Sequence, residues 1–252
     1  MSSTSTAIRV FAQDGILEIT IDRPERKNAF TAEMYAAFAA ALKEGETSDA
    51  VKVVLVTGAG GNYSTGNDLQ DFLQAPPTGE KDPVFQFLRA IAHCPKPIIC
   101  AVEGFAVGVG MTMLLHADLV YAAPNAKFQL PFVNLGLVPE AGSSYLLPLL
   151  VGHLKASELC LLGGAIDAET ALRYGLINAI VPAELLTEFA REKALTIAAK
   201  PTAAVQQTKA LFKDAHRTNT LNQMKTEEHI FLKLLKAPET IERLKSFFTR
   251  KK

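Results

Sequence analysis

The stretch PIICAVEGFAVGVGMTMLLHADLVYAAPNAKFQLPFVNLGLVPEAGSSYLLP, from Pro97 to Pro148, holds the pattern that decides the fold. It begins with an apolar run at Ile98–Val102, which is typical of a buried strand. Closely spaced glycines follow, and then an apolar, helix-compatible segment at Met111–His116. A strand, a glycine turn and a helix start in this order leave backbone N–H groups without partners. Such groups can hold an anion, or an oxygen that becomes negative during a reaction.

A second glycine loop lies upstream, in GAGGNYSTGNDLQDF at Gly58–Phe72, after an apolar run at Val51–Thr57 that predicts another buried strand. A carboxylate, Glu140, stands downstream in the segment VPEAGSS. Donors for a developing oxyanion, with one carboxylate on a separate loop, indicate proton transfer next to a carbonyl. The alternative interpretation is structural. Glycines near strand ends often serve as turns, and Glu140 is then an acid at a helix start beside Ser143 and Ser144.

The composition excludes several classes of protein. The 252 residues include 26 basic and 26 acidic side chains, so no net field attracts nucleic acid or a membrane surface. The three cysteines have no paired spacing, which predicts free thiols in a reducing compartment and no metal site. The polar start MSSTSTAIRV lacks the apolar core of a signal peptide, and no apolar run is long enough for a membrane span. We therefore expect a cytoplasmic protein.

Short strands alternate with helices in the first part of the chain. Apolar runs flank Asp14-Gly15, which predicts a β-hairpin, and Thr31 is predicted to cap a helix that extends to about Lys43. This alternation predicts an α/β fold with a sheet that contains parallel strands. The predicted elements after Ala183 are all helical, at about 183–199, 201–216, 219–235 and 238–249. We divide the chain into a core at 1–195, which carries the site, and a helical module at 196–252.

Five segments together resemble the enoyl-CoA hydratase/isomerase family, the crotonase superfamily, over nearly the whole chain. They are RPERKNAF (23–30), YSTGNDL (63–69), AVEGFAVGVG (101–110), HADLVYAAPNAKFQLPFVNLGLVPEAG (116–142) and GGAIDAETALRYGLINAIVP (163–182). The resemblance implies a spiral of ββα units with a C-terminal trimerisation module. It also implies an acyl-CoA thioester as substrate, no cofactor beyond the CoA of that substrate, and a homotrimer or a dimer of trimers.

The resemblance also implies where the substrate binds. In this family the thioester carbonyl lies between two backbone N–H groups, which fall at Asn67 and Val109 here. The family usually has glycine at the position of Val109, and the replacement keeps the N–H donor. The other residues implied in substrate and CoA binding are Arg26 and Lys27 for the phosphates, Ser64, Thr65 and Asp68 for the adenine, and Leu69, Phe72, Gly108, Phe132 and Leu135.

The acidic residues indicate the subclass. Hydratases of the family use two glutamates, at the positions of Thr112 and Phe132, and neither is an acid here. Glu140 stands instead where the Δ3,Δ2-enoyl-CoA isomerases of the family carry a single catalytic glutamate. One base suffices to move a proton between two carbons if the dienolate oxygen is stabilised.

Other readings stay open. The same scaffold supports weak hydratase, thioesterase or ring-isomerase activity, and scaffolds also persist as non-catalytic acyl-CoA binders. The apolar faces of the last helices, which include Leu232, Leu235, Phe247 and Phe248, either cover the core of their own chain or pack on a neighbouring subunit. In the second case Lys245, Lys251 or Lys252 of a neighbour approaches the CoA phosphates.

Overall fold

The computed structural model describes residues 7–249, with side chains described up to Ser246. The strands are β1 (Ile8–Gln13), β2 (Ile16–Ile21), β3 (Val53–Gly58), β4 (Ile98–Val102), β5 (Phe105–Val107), β6 (Leu119–Ala122), β7 (Lys127–Gln129), β8 (Ala165–Asp167) and β9 (Ala179–Ile180). The helices are α1 (Ala32–Thr47), α2 (Leu69–Gln74), α3 (Pro83–His93), α4 (Val109–Thr112), α5 (Ser143–Val151), α6 (His153–Ser157), α7 (Ala168–Arg173), α8 (Ala183–Ala198), α9 (Thr202–Leu235) and α10 (Pro238–Thr249). No helix in this range has both the length and the apolar character needed to cross a membrane.

The strands form two sheets, and the α/β prediction is confirmed. The larger sheet has the order β1-β2-β3-β4-β6-β9, and the smaller has the order β5-β7-β8. β1 and β2 form the predicted antiparallel hairpin, and every other pair in the larger sheet is parallel. Asp14 and Gly15 both have positive φ, 55° and 80°, as a two-residue hairpin turn of the favoured type requires. Thr31 caps α1 by accepting a hydrogen bond from the Met34 N–H.

Both faces of the central strands are covered, which explains their unbroken apolar sequence. Alternate residues of β4 belong to different clusters of buried side chains. Cys100 lies in the main cluster with residues of α1 and α3, whereas Ile99 faces a second cluster that includes Leu186 and Ala190 of α8. Helices therefore cover the sheet on two sides, and the loops after the strands are left to build a site at its edge.

The loop after β3 is fastened to β5 by backbone hydrogen bonds. Ser64 N–H donates to Phe105 O at 2.7 Å, and Val107 N–H donates to Ser64 O at 2.9 Å. This close approach leaves no space for side chains. A Cβ at Gly110 would lie 2.6 Å from Ser64 O, and one at Gly66 would lie 2.7 Å from Val107 O. The two glycine loops that the sequence places about 40 residues apart therefore touch, backbone against backbone.

The C-terminal helices differ from the prediction. The two helices predicted at 201–216 and 219–235 are one helix, α9, of 34 residues, because no proline or glycine interrupts the segment. It packs along α5 and carries Phe231 and Leu235 into the main core cluster, which α10 joins through Leu244. Leu235 is therefore not left on the surface of the single chain, and Leu232 packs against the same cluster. Lys245 is exposed, whereas Lys251, Lys252 and the side chains of Phe247 and Phe248 lie outside the described residues.

The boundary predicted between residues 195 and 196 falls inside α8. Ala194 and Ala198, on either side of it, belong to the same buried cluster. The nearest break in secondary structure is at 199–201, where Pro201 precedes α9. The division into a core and a helical module stays a prediction. Two short strands, β5 and β8, were not predicted, because three residues are too few to show an alternating pattern. Between α5 and β8, α6 is followed by a π-helical turn at Glu158–Leu162.

The close contact at Gly110 gives a prediction about stability. Gly110→Ala should lower the free energy of unfolding by about 1–3 kcal/mol, because the new methyl group meets the fixed oxygen of Ser64. Gly79→Ala is the matched control, since nothing lies within 4 Å of the added atom. Urea unfolding of both variants measures the difference. A Gly110→Ala protein as stable as the Gly79→Ala protein would contradict the close approach.

Candidate active site

The backbone N–H groups of Asn67 and Val109 are free to bind a ligand. Phe30 N–H donates to Gly66 O and Asp68 N–H donates to Phe30 O, both at 2.8 Å, so the Asn67 N–H between them is turned away from that bridge. Val109 is the first residue of α4, where a helix leaves its N–H groups unpaired. Among residues 7–249 neither N–H has a hydrogen-bond partner. Both groups follow glycines of the two touching loops, and this local geometry suits an oxyanion hole. Their role as oxyanion donors stays a prediction.

Glu140 is a buried acid with one unpaired oxygen. Its residue is 4% exposed, its Oε1 accepts a hydrogen bond from Thr112 Oγ1, and its Oε2 has no partner among the described residues. Burial raises the pKa of this carboxyl from 4.5 to about 8. The Thr112 bond opposes that rise and the charge of Glu227 adds to it. A carboxyl with such a pKa can both accept and return a proton near neutral pH.

The turn that presents Glu140 is held from several sides. Ala141, which follows it, has a φ of 65°, a conformation that costs a residue with a side chain. Ser143 Oγ donates to Glu140 O at 2.5 Å, and His116 Nε2 lies 2.7 Å from Ala141 O. Burial lowers the pKa of His116 to about 3, so the ring is neutral and Nε2 carries the donated proton. Lys213 of α9 in turn donates to His116 O at 2.6 Å.

The structural alternative for Glu140 does not fit these contacts. The acid that binds the start of α5 is Glu227 of α9, which accepts from the N–H groups of Gly142 and Ser144 at 2.6 and 2.8 Å. Glu140 accepts no bond from those groups. Its carboxyl points instead toward Thr112 of α4, three residues after Val109. The acid and one predicted oxyanion donor therefore belong to the same corner of the fold.

A cavity of about 1220 Å³ opens beside this corner. The predicted residues that line it are Arg26, Lys27, Thr65, Asn67, Asp68, Leu69, Phe72, Gly108, Phe132 and Leu135. Glu140 and Val109 are both buried, and neither lines the cavity itself. Leu137, Leu244 and Glu239 extend the lining, and α10 thereby contributes one wall.

Some predicted contacts have structural tasks. Ser64 does not line the cavity: it is fully buried, its two backbone groups bind β5, and its Oγ donates to Asn28 O at 2.8 Å. The Asp68 carboxylate caps α2 and pairs with Arg23 at 2.7 Å. Partial burial raises its pKa, but the bonds from Arg23 and the helix N–H groups outweigh this and lower it overall. Asp68 thus orders the loop that carries Asn67.

Two residues near the site were missed by sequence reasoning. Tyr35, buried in α1, donates its hydroxyl hydrogen bond to Asn67 Oδ1. Burial raises the pKa of Tyr35, and the nearby charge of Glu140 adds to the rise. Glu227 was also missed. Neither residue stands in a recognisable motif, and Tyr35 looks like one more residue of an apolar helix face.

Lys27 and Phe105, which both line the cavity, are in contact, with the Lys27 Nζ 4.7 Å from the centre of the Phe105 ring.

Comparison with known proteins agrees with this architecture. The model of the family described as enoyl-CoA hydratase/isomerase matches residues 12–252. The 1,2-epoxyphenylacetyl-CoA isomerase of Escherichia coli K12 is 38% identical over 218 residues, which cover 83% of this chain and 82% of that protein. Enoyl-CoA delta isomerase 2 of Rattus norvegicus is 35% identical over 254 residues, which cover 98% of this chain but only 64% of the longer relative.

Solved structures show the same fold. The structure of Pseudomonas aeruginosa OdaA has a TM-score of 0.94 and 42% identity, covering 96% of this chain and 99% of that one. An enoyl-CoA hydratase/isomerase from Pseudoalteromonas atlantica T6c has a TM-score of 0.94 and 39% identity, covering 98% of both chains. The predicted crotonase-like fold with a helical C-terminal region is thereby confirmed. On the family match and these relatives, this chain belongs to the enoyl-CoA hydratase/isomerase family.

Proposed function

We propose that this protein is an acyl-CoA isomerase that moves a C3=C4 double bond to C2=C3 with Glu140 as its single acid and base. The observation that carries the proposal is the buried Glu140 carboxyl with one oxygen unpaired. A buried polar atom normally has a partner, and an exception calls for an explanation. A substrate C–H group placed against Oε2 provides one, because a proton taken from carbon there ends on the free oxygen.

The reaction needs one base and two donors. The Glu140 carboxylate takes a proton from C2, and the electron pair moves through C2 to the thioester oxygen to form a dienolate. The N–H groups of Asn67 and Val109 stabilise that oxygen. Glu140, now protonated, returns the proton at C4, and the electrons of the dienolate form the C2=C3 double bond. Every atom of the substrate is retained, and no cofactor beyond its CoA is required.

The residues around Glu140 favour isomerisation over hydration. A hydratase must place and split a water, whereas the first hydratase position here is Thr112, which holds one oxygen of Glu140. Phe132, at the second hydratase position, gives an apolar lining instead of a carboxylate. Apolar side chains of the lining, such as Phe132, Leu135 and Leu137, also protect a dienolate from being protonated by solvent.

A second candidate activity is ring isomerisation of an acyl-CoA epoxide. It is favoured by the E. coli relative, whose name is 1,2-epoxyphenylacetyl-CoA isomerase. The predicted oxyanion donors and the CoA-binding residues serve either substrate equally well, so substrate comparison decides between the two. Aromatic side chains at Phe72 and Phe132 accommodate a ring or an acyl chain.

We also propose that the protein assembles as a homotrimer or a dimer of trimers. Leucines of α5, α6 and the π-helical turn are about half exposed or more in the single chain: Leu149, Leu150, Leu154, Leu161 and Leu162. Leu211 and Phe212 of α9 are each about three-quarters exposed. Exposed apolar surface of this extent is typical of a contact between subunits.

The substrates separate the activities. At equal enzyme concentration, conversion of trans-3-hexenoyl-CoA to its 2-enoyl isomer should run at least about a hundred times faster than hydration of crotonyl-CoA, the usual scale of one missing acid-base group. Spectrophotometric rates on both esters and on 1,2-epoxyphenylacetyl-CoA provide the measurement. Hydration as fast as isomerisation would refute the proposal, and turnover of the epoxide alone would favour the second candidate.

Removal of the acid should abolish most of the activity. Glu140→Gln should lower kcat for 3-enoyl-CoA at least about a hundredfold, because the amide cannot take a proton from carbon. The Kd for an acyl-CoA that cannot react should stay within about threefold, since Glu140 is not part of the cavity lining. Glu158→Gln, an exposed acid paired with Lys155, serves as the control. A Glu140→Gln enzyme with most of the original rate would show that another group is the base.

Assembly can be tested by light scattering at micromolar concentration. The measured mass should be three or six times the 27.2 kDa of one chain. The double variant Leu161→Lys, Leu162→Lys should lower this mass, because it places charges on the exposed apolar surface. A fully active wild-type protein at the mass of one chain would contradict the proposed assembly.

A further inference from the structure

Glu227 is a buried carboxylate on a helix far from Glu140 in the sequence. It is 3% exposed, and its Oε2 accepts from Gly142 N–H at 2.6 Å. Its Oε1 accepts from both the N–H and the Oγ of Ser144, at 2.8 and 2.5 Å. Gln223, one turn earlier on α9, donates to Ser144 Oγ at 2.7 Å. All the hydrogen bonds of this carboxylate therefore go to the segment that directly follows Glu140.

That segment needs external support. Ala141 and Gly142 both have positive φ, 65° and 71°, so the chain makes two left-handed steps between Glu140 and α5. A left-handed conformation is unfavourable at a residue with a side chain, such as Ala141. The first N–H groups of α5 also lack partners within their own helix. Glu227 provides the partners for the N–H groups of Gly142 and Ser144 at this helix start.

We propose that Glu227 is a positioning residue for Glu140: through Gly142 and Ser144 it holds the turn that fixes the position of the Glu140 carboxyl beside Thr112. The inference rests on the proposed function for the role of Glu140. The hydrogen bonds to Gly142 and Ser144 stand independently of that role. Glu227 does not touch the substrate cavity, since it is absent from the lining. Glu227 therefore affects the reaction indirectly, through the loop that it holds and through the effect of its charge on Glu140.

The charge of Glu227 acts on Glu140 in a second way. Burial raises the pKa of Glu140, and the neighbouring negative charge raises it further, which makes the carboxylate a stronger base. Burial also raises the pKa of Glu227 itself, against its three hydrogen bonds, which lower it. The other titratable groups of this corner are Tyr35 near Glu140, Cys160 near Glu227, and the pair His116 and Lys213 behind Ala141.

These neighbours do not cancel the effect. His116 is neutral above about pH 3, because burial lowers its pKa to that value. The pKa of Lys213 is lowered to about 8 by burial and by Lys209. The pKa values of Tyr35 and Cys160 are both raised, so these two groups stay neutral at pH 7. Lys213 is charged at pH 7, but the charge that raises the pKa of Glu140 is that of Glu227, the residue that also holds the Glu140 turn.

The experiment compares Glu227→Gln with Glu228→Gln. Glu228 is the next residue of α9 and pairs with Arg89 at 3.1 Å, so its variant removes the same charge without touching the Glu140 turn. Two quantities are measured for each protein. The first is the pKa of the Glu140 carboxyl by ¹³C NMR titration, assigned with Glu140→Gln. The second is the pH profile of kcat/KM and the limiting kcat on 3-enoyl-CoA.

The wild-type kcat/KM should rise with pH to a midpoint near 8, because the deprotonated carboxyl is the base. In Glu227→Gln that midpoint and the NMR pKa should both move to lower pH, because the neighbouring charge is gone. The limiting kcat should fall about ten- to a hundredfold, as expected for a misplaced catalytic group, with Kd for acyl-CoA unchanged. Glu228→Gln should show neither change.

Several results would overturn the inference. An unshifted Glu140 pKa with a wild-type kcat in Glu227→Gln would do so, as would the same shift in Glu228→Gln. If Glu227→Gln does not fold, Glu227→Asp keeps the charge but shortens its reach, and should keep the raised pKa while lowering kcat. A wild-type kcat in Glu227→Asp would then refute the positioning role. The NMR titration needs no substrate, so a protein that isomerises no enoyl-CoA would refute the proposed function while the titration still decides the coupling.

Discussion

The pairing of Ser64 with β5 is the contact on which the site depends. Two backbone hydrogen bonds bring the loop after β3 against the strand that precedes the second loop. Because both partners are backbone, the distance is fixed by peptide geometry and not by side chains. Gly66 and Gly110 are glycines since a Cβ at either would collide with a carbonyl oxygen. With the loops locked together, the N–H groups of Asn67 and Val109, which are the proposed oxyanion donors, hold fixed positions, and donors fixed in this way need little reorganisation when they bind.

The opposite side of the site combines a charge with an apolar environment. Glu140 is surrounded by buried groups and is held by Thr112 through one oxygen only. Burial of an acid has a cost. Since the folded protein keeps a proton on Glu140 that the unfolded chain has released, this group lowers the stability of the fold as the pH rises from about 4.5 to about 8. The apolar side chains buried in two clusters against the sheet stabilise the fold and offset this cost.

Local features of the fold and site could be predicted from the sequence, and distant contacts could not. The β1–β2 hairpin, the cap at Thr31 and the buried strands follow from turn residues and apolar patterns. Glu140 could be singled out because the family resemblance implies a catalytic acid at this position and places the two hydratase glutamates at Thr112 and Phe132, which are not acids. Two hydrogen bonds join segments that are far apart in the sequence: that from Tyr35 to Asn67, and that from Ser144 to Glu227. No local pattern marks such a pair. The break predicted within α9 was wrong because no proline or glycine interrupts that segment.

The length of α9 has a consequence for biosynthesis. Its contacts reach back about 85 residues to the Glu140 turn and more than 110 residues to Lys96 O, which Lys209 binds at 2.6 Å. Most pairs of the larger sheet close within shorter stretches, so the sheet can assemble while the ribosome is still adding residues. The hydrogen bonds through which Glu227 holds the Glu140 turn can form only after Glu227 has been added to the chain. A nascent or prematurely ended chain therefore lacks these hydrogen bonds, and under the proposed role of Glu227 the active site is complete only when translation has nearly finished.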